Sequence, residues 1–212
     1  MLVAGCRAAP APAPATTEAE EVITLPAPRQ QGPLSLEEAL ARRRSVREYG
    51  PRSLTWEEIG QLLWAAQGIT SPQGFRTAPS AGALYPLEVY VVLPEGVYHY
   101  LPHQHALRRT AAGDRRSALG DAAVRQRPVY EAPAVFVIAA VYERTAAKYG
   151  PRAERYVHLE AGHAAQNLLL QAIALGLGAV PIGAFYDEQV RAVLGLGADE
   201  TPLYLIPVGA PR

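Results

Sequence analysis

One cysteine, one methionine, one lysine and one asparagine occur in the 212 residues. With Cys6 alone, no intrachain disulfide framework and no all-cysteine metal or cluster site can form. No apolar run reaches the roughly 18 residues that a bilayer-spanning helix needs. Excess charge of one sign is also missing, because 20 Lys+Arg meet 20 Asp+Glu. A protein that grips nucleic acid by neutralising phosphates normally carries a basic excess. The Gly-x-Ser-x-Gly elbow of many serine hydrolases is absent. His158 and His163 do not share a helix face, which disfavours a zinc pair. What is present is a globular composition, 49% hydrophobic and 19% charged, sized for one domain or two small ones. Few oxidisable side chains and 19 prolines suit a hot habitat, and a GC-rich genome would give the same bias.

Residues 1–33 read as a tether. Ala8 to Ala15 alternates alanine with proline, and Thr16 to Glu21 is polar and acidic. Such chain buries too little apolar surface to offset its ordering entropy. Val3-Ala4-Gly5-Cys6 is similar to a bacterial lipobox, in which the cysteine carries lipid, but the charged region and apolar core of a signal peptide are missing. Two readings therefore stand: an extracytoplasmic protein tethered to a membrane at Cys6, or a cytoplasmic one with an ordinary free thiol. Residues 34–212 form the folded domain.

Capping boxes mark two helix starts, at Ser35-Leu36-Glu37-Glu38 and at Thr55-Trp56-Glu57-Glu58. Ile59, Leu62, Leu63 and Ala66 repeat at helical spacing, and Gly68 is a natural stop. A loop rich in glycine, serine and proline runs from Thr70 to Pro86. Leu87 to Leu93 and Val97 to Tyr100 read as a hairpin. Asp114 to Val124 is predicted helical, Ala134 to Val141 a buried strand, and Pro151 opens a long helix that ends near Leu175 and Gly176. A short strand at Val180 to Ile182, a helix at Asp187 to Leu194 and a strand at Leu203 to Val208 complete the order. Helices mixed with a hairpin give an α+β class.

Four stretches could carry chemistry. Arg42 to Arg47 includes four arginines, which complement a helix C-terminus on a solvated face. If the chain extends there, Arg43, Ser45 and Arg47 point one way and suit a phosphate monoester. The loop from Arg76 to Pro86 is long for a plain connection, and its small residues let backbone approach a flat ligand. Gly176-Leu177-Gly178 follows a helix, whereas a dinucleotide fingerprint must follow a strand. The strand after it, ending in Gly183-Ala184, offers bare backbone N–H groups. Lys148-Tyr149 holds the one lysine among nineteen arginines. A lysine gives up its proton when desolvated and an arginine does not, so the pair is either an acid/base couple or a random survivor.

Taken in order, Arg43-Arg44-Ser45-Val46-Arg47, Pro79 to Pro86, Lys148-Tyr149-Gly150, Gly162 to Asn167, Pro181-Ile182-Gly183-Ala184-Phe185 and Ile206-Pro207-Val208-Gly209 resemble the FMN-dependent nitroreductase superfamily. They look most like its SagB-type branch of thiazoline/oxazoline dehydrogenases. The resemblance covers about Leu34 to Pro211. It implies a three-layer fold with a mixed central sheet flanked by helices, in an intertwined homodimer with FMN at the subunit interface. It places Arg43, Arg44, Ser45 and Arg47 on the FMN phosphate and ribityl chain, and Gln126 on the pyrimidine edge. Pro79 and Ser80 would come from the second subunit, and Pro181, Ile182, Gly183 and Ala184 would face the flavin through their backbone. The long helix carrying Gln166 and Asn167 would lie in the dimer core. Arg212 matches a C-terminal phosphate-binding arginine. Lys148 and Tyr149 match the pair implicated in taking a proton from azolines. The implied activity is two-electron hydride transfer to or from a small organic substrate, with NAD(P)H a candidate electron donor; a non-catalytic flavin binder is the alternative.

Overall fold

A computed structural model describes residues 21–212. Seven strands form one sheet in the order β1-β4-β3-β2-β5-β7-β6. The strands are β1 (Val22–Thr24), β2 (Leu87–Leu93), β3 (Gly96–Leu101), β4 (Ala106–Ala112), β5 (Ala134–Val141), β6 (Gly178–Ala179) and β7 (Glu200–Gly209). Every ladder between them is antiparallel. The parallel contribution comes from a bridge between Ser45 and Ala179. The helices are α1 (Leu36–Arg42), α2 (Trp56–Gln67), α3 (Arg116–Ala122), α4 (Arg127–Glu131), α5 (Tyr142–Tyr149), α6 (Ala153–Ala174) and α7 (Asp187–Leu194). Among the described residues no helix is long and apolar enough to cross a membrane.

Alternation along the strands sorts the core into two layers. Val89, Val91, Phe136 and Ile138 face α2 and α6. Tyr90, Val92, Val135 and Val137 face α3 and α7. Strand β5 is buried along its whole length because helices cover it on both sides, which explains its unbroken apolar run. Both capping boxes form, with Ser35 and Thr55 accepting from Glu38 N–H and Glu58 N–H.

Several expectations are corrected. Residues 21–33 are no tether: β1 pairs with β4, and Leu25 is buried. The expected lipobox at Cys6 and the chain up to residue 20 lie outside the described residues. Strand β4 carries Arg108, Arg109 and Thr110 at half-exposed or exposed positions, so it lacks the apolar alternation that would announce it. Helix α5 follows β5 without a turn signal, and the expected strand at Val180 is instead β6 at Gly178–Ala179, with Ile182 bridging Leu205. Gly68 ends α2 at φ −66 rather than in a left-handed cap; a Cβ there would lie 2.1 Å from the Trp64 ring.

Candidate functional site

The predicted site residues fall into two clusters. The first is built where α1 ends. Arg43 leaves the helix with φ −57 and ψ 120, and the chain then runs beside β6, with Val46 N–H donating to the Ala179 carbonyl at 3.0 Å. Val46 turns inward and fills the space over Gly178, where a Cβ would come within 2.6 Å of it. Ser45 and Arg47 therefore turn outward, and both are exposed. Tyr49 fixes the segment from below: its hydroxyl lies 2.7 Å from the Val46 carbonyl and 3.1 Å from that of Pro207. Burial pushes that hydroxyl above its ordinary pKa, so it stays a neutral donor.

Arg47 opens onto a cavity of about 370 Å³, lined by Gln126, Arg127, Pro128 and Val180 to Ala184. Five of the predicted residues thus meet Arg47 at one concavity. Among the described residues neither Arg43 nor Arg47 pairs with a carboxylate, so both forks are free for an anion. Arg44 is different: one nitrogen of its guanidinium donates to the carbonyls of Ala41 and Arg43, at the end of α1. Arg212 hydrogen-bonds through its backbone to Glu48, next to Arg47 in sequence. Gln126 donates its amide to the carbonyls of Ala123 at 3.0 Å and Ala184 at 2.8 Å, so it shapes the Gly183-Ala184 bend. Of the predicted backbone donors only two are available. Pro181 has no N–H, and Ile182 N–H is bound by Leu205. Gly183 and Ala184 are exposed and their N–H groups donate to nothing among the described residues.

The second cluster surrounds the turn at Ala81–Ala83. Gly82 has φ +65 there, and a Cβ would lie 2.9 Å from the Tyr149 hydroxyl and 3.2 Å from Lys148 Nζ. Gly82 therefore stands against Lys148 and Tyr149, two residues after Ser80 in the loop that carries Pro79 and Ser80. The ammonium lies 5.5 Å from the Tyr149 ring centre, and Tyr149 meets Tyr156 edge-on. Asn167 donates to the Thr77 carbonyl at 3.2 Å, tying this loop to α6. The loop's Ala78 is buried in the α6 layer, whereas Val180 and Ile182 belong to the opposite layer. The two clusters thus occupy opposite sides of one sheet.

Sequence reading missed Glu160, which is 2% exposed beneath the second cluster. Burial pushes its carboxyl up to about 7, opposed by the Ser80 hydroxyl and the Arg76 charge. The signal was available: Glu160 interrupts the apolar face of α6 at helical spacing from Val157 and Ala164. A larger cavity of about 670 Å³, between residues 27–34 and helices α2 and α6, holds none of the predicted residues. His105 and His158 are committed to Tyr100 and Tyr142, and no group of metal-ligating side chains occurs among the described residues.

The sequence matches the model of the nitroreductase family over residues 40–210. It is 48% identical over 182 residues to a provisionally named nitroreductase of Methanocaldococcus jannaschii, covering 83% of this chain and 91% of that one. It is 31% identical over 159 residues to the Escherichia coli microcin B17-processing protein McbC, covering 68% of this chain and 57% of McbC. A provisionally named nitroreductase from Ralstonia eutropha has a similar structure, with a TM-score of 0.81 and 33% identity over 98% of this chain and 96% of that one.

Proposed function

Since this chain belongs to the nitroreductase family and is a nitroreductase-type oxidoreductase, we propose that it works with FMN bound across two copies of itself. The observation that carries this reading is the first cluster: Arg47, unpaired among the described residues, lines a cavity whose wall presents two unused N–H groups, and Ser45 and Arg43 lie two and four residues before it on the segment that runs beside β6. Arg43, Ser45 and Arg47 would hold the phosphate through charge-assisted hydrogen bonds. Gly183 and Ala184 would donate to the polar edge of the ring, and open space where a Gly183 Cβ would stand lets a flat ligand come close. Gln126 holds that bend at the right height. Bound there, FMN supplies two-electron hydride chemistry that no side chain of this protein offers. The donors of the chain orient the ring and favour negative charge at its edge.

The second cluster lies on the other side of the sheet and would complete the site of a neighbouring copy, which is the support for a homodimer. Lys148 and Tyr149 would then face the substrate. Among the described residues the Lys148 ammonium makes no ion pair, and the pair is free to move a proton. This favours a second reading, an azoline-type dehydrogenase of the SagB branch, supported by the likeness to McbC. NADH or NADPH is a candidate donor.

The purified chain is expected to be yellow, or to turn yellow with added FMN, and to bleach on reduction. A colourless protein that takes up no FMN would overturn the reading. Lys148→Ala separates the two versions. It should keep FMN in both, and abolish oxidation of an azoline peptide only if the pair is the base.

A further inference from the structure

The loop from Arg76 to Pro86 touches helix α5 near both of its ends, and the proposed chemistry accounts for one contact only. At the C-terminal end of α5, Lys148 and Tyr149 lie on the bare turn at Gly82. Arg144 stands four residues before Lys148, hence on the same helix face, and holds the base of the loop. One guanidinium nitrogen pairs with the Glu88 carboxylate of β2 at 2.5 Å, and another donates to the Tyr85 carbonyl at 3.2 Å. The rigid fork of an arginine serves two such acceptors at once. Glu88 is itself held, because its second oxygen lies 2.7 Å from His99 Nε2. Tyr85 gathers the rest of the loop. Its N–H donates to the Ser80 hydroxyl at 2.9 Å, and its own hydroxyl accepts Arg76 N–H at 3.3 Å. The Ser80 carbonyl accepts Ala83 N–H at 3.1 Å. Tyr85 does this at φ +48 and Ala83 at φ +54. Left-handed backbone at such residues is strained and persists only where the surroundings over-determine it. A closed ring of contacts thus runs from Arg144 through Tyr85 and Ser80 to the Gly82 turn, on to Lys148, and back along α5.

We propose that Arg144 is a positioning residue for the Lys148–Tyr149 pair: it clamps the strained Tyr85 so that the Gly82 turn stays seated against the two side chains. The proposal rests on the flavin oxidoreductase reading given above, in which that pair moves a proton. Arg144 acts through this contact and does not itself touch substrate. The seat matters because Lys148 is exposed on the last turn of α5, and its flexible stem would otherwise sample many rotamers. A Cβ at Gly82 would lie 3.4 Å from Lys148 Cδ and 3.2 Å from Nζ, so the stem runs along the turn. A side chain at that φ of +65 would be strained and would stand 2.9 Å from the Tyr149 hydroxyl. Without Arg144, Tyr85 and Ala83 are free to leave the left-handed region, and the turn then draws away from the pair. Helix α5 stays in place when this happens. It is anchored by buried Thr145 and by edge-on ring contacts of Tyr142 with His158 and of Tyr149 with Tyr156 on α6.

Two measurements on the full chain test this. The chain has one lysine, so growth on isotope-enriched lysine labels Lys148 alone for NMR. Well below the melting temperature, its Hε–Cε signal should be broad and displaced from that of free lysine by the nearby Tyr149 ring. Arg144→Ala should bring the signal to the free-lysine position and sharpen it, and Gly82→Ala should displace it from the parent position as well. In single turnovers, dithionite-reduced, FMN-loaded protein is reoxidised by p-benzoquinone, which takes up a hydride and a proton to become hydroquinone. Arg144→Ala should lower the limiting rate about tenfold or more, with quinone half-saturation and FMN binding unchanged. Glu88→Gln removes one acceptor of the clamp. It should move both readouts the same way, and it decides the matter if Arg144→Ala does not fold. A lower melting temperature with the lysine signal and the rate of the parent would show a structural role only, and overturns the proposal alone. Parent protein that takes up no FMN overturns the oxidoreductase reading, and the positioning role with it.

Discussion

Val46 and Gly178 decide whether the arginine segment lies down on the sheet. The valine occupies the place of a side chain that Gly178 does not have. Gly178→Ala should therefore cost about 1–3 kcal/mol and lower FMN affinity together with the melting temperature. Arg43→Ala and Arg47→Ala test the proposed phosphate contacts. Each removes one charged donor, worth about 1.5–3 kcal/mol, so titration should show FMN binding weaker by roughly 10- to 100-fold, with stability unchanged. Arg44→Ala should leave FMN affinity near that of the parent, because its fork serves α1. Glu160 has a stability signature as well. Burial lifts its folded pKa to about 7, above the ordinary glutamate value of 4.5. The folded state therefore holds the extra proton between those values, and stability falls as pH rises through that window. The size is about 3 kcal/mol. Denaturant midpoints measured near pH 5 and pH 8 should show this drop in the parent and lose it in Glu160→Gln.

Elements with a local signature were readable from the chain. The serine and threonine boxes placed α1 and α2 because each closes its own hydrogen bonds within one turn. Thr55→Ala should cost about 1 kcal/mol, visible in the melting temperature. Strand β5 declared itself by its apolar run, and α7 by its spacing from Asp187 to Leu194. Elements held by non-local partners did not show. Strand β4 is ordered by β3 on one side and β1 on the other, and its own residues ask for neither. The site divided along the same line. Arg43, Ser45 and Arg47 could be proposed from alternation in an extended segment. The contribution of Glu160 depends on a loop folded over it from far along the chain, so only its odd place on an apolar helix face hinted at it.

At the scale of the whole molecule, the two clusters lie on opposite sides of one sheet, and in the proposed reading each completes the site of a second copy. Flavin retention should therefore follow association. Sedimentation is expected to show a dimer that carries FMN. Leu159, on α6 and 52% exposed, is the position at which to test this. Leu159→Glu should shift the chain toward monomer and release FMN in proportion. A monomer that keeps full flavin would refute the shared site.

Strand β1 gives the sheet its outer border. It takes up the backbone groups of β4 that would otherwise end in water, and an ion pair between Glu21 and Arg109 reinforces the seam. An expression clone trimmed to begin at residue 34, as a reading of the sequence alone would suggest, would strip that border away. The bared rim would invite other chains to zip onto it, and such a clone would yield inclusion bodies where the longer one stays in solution.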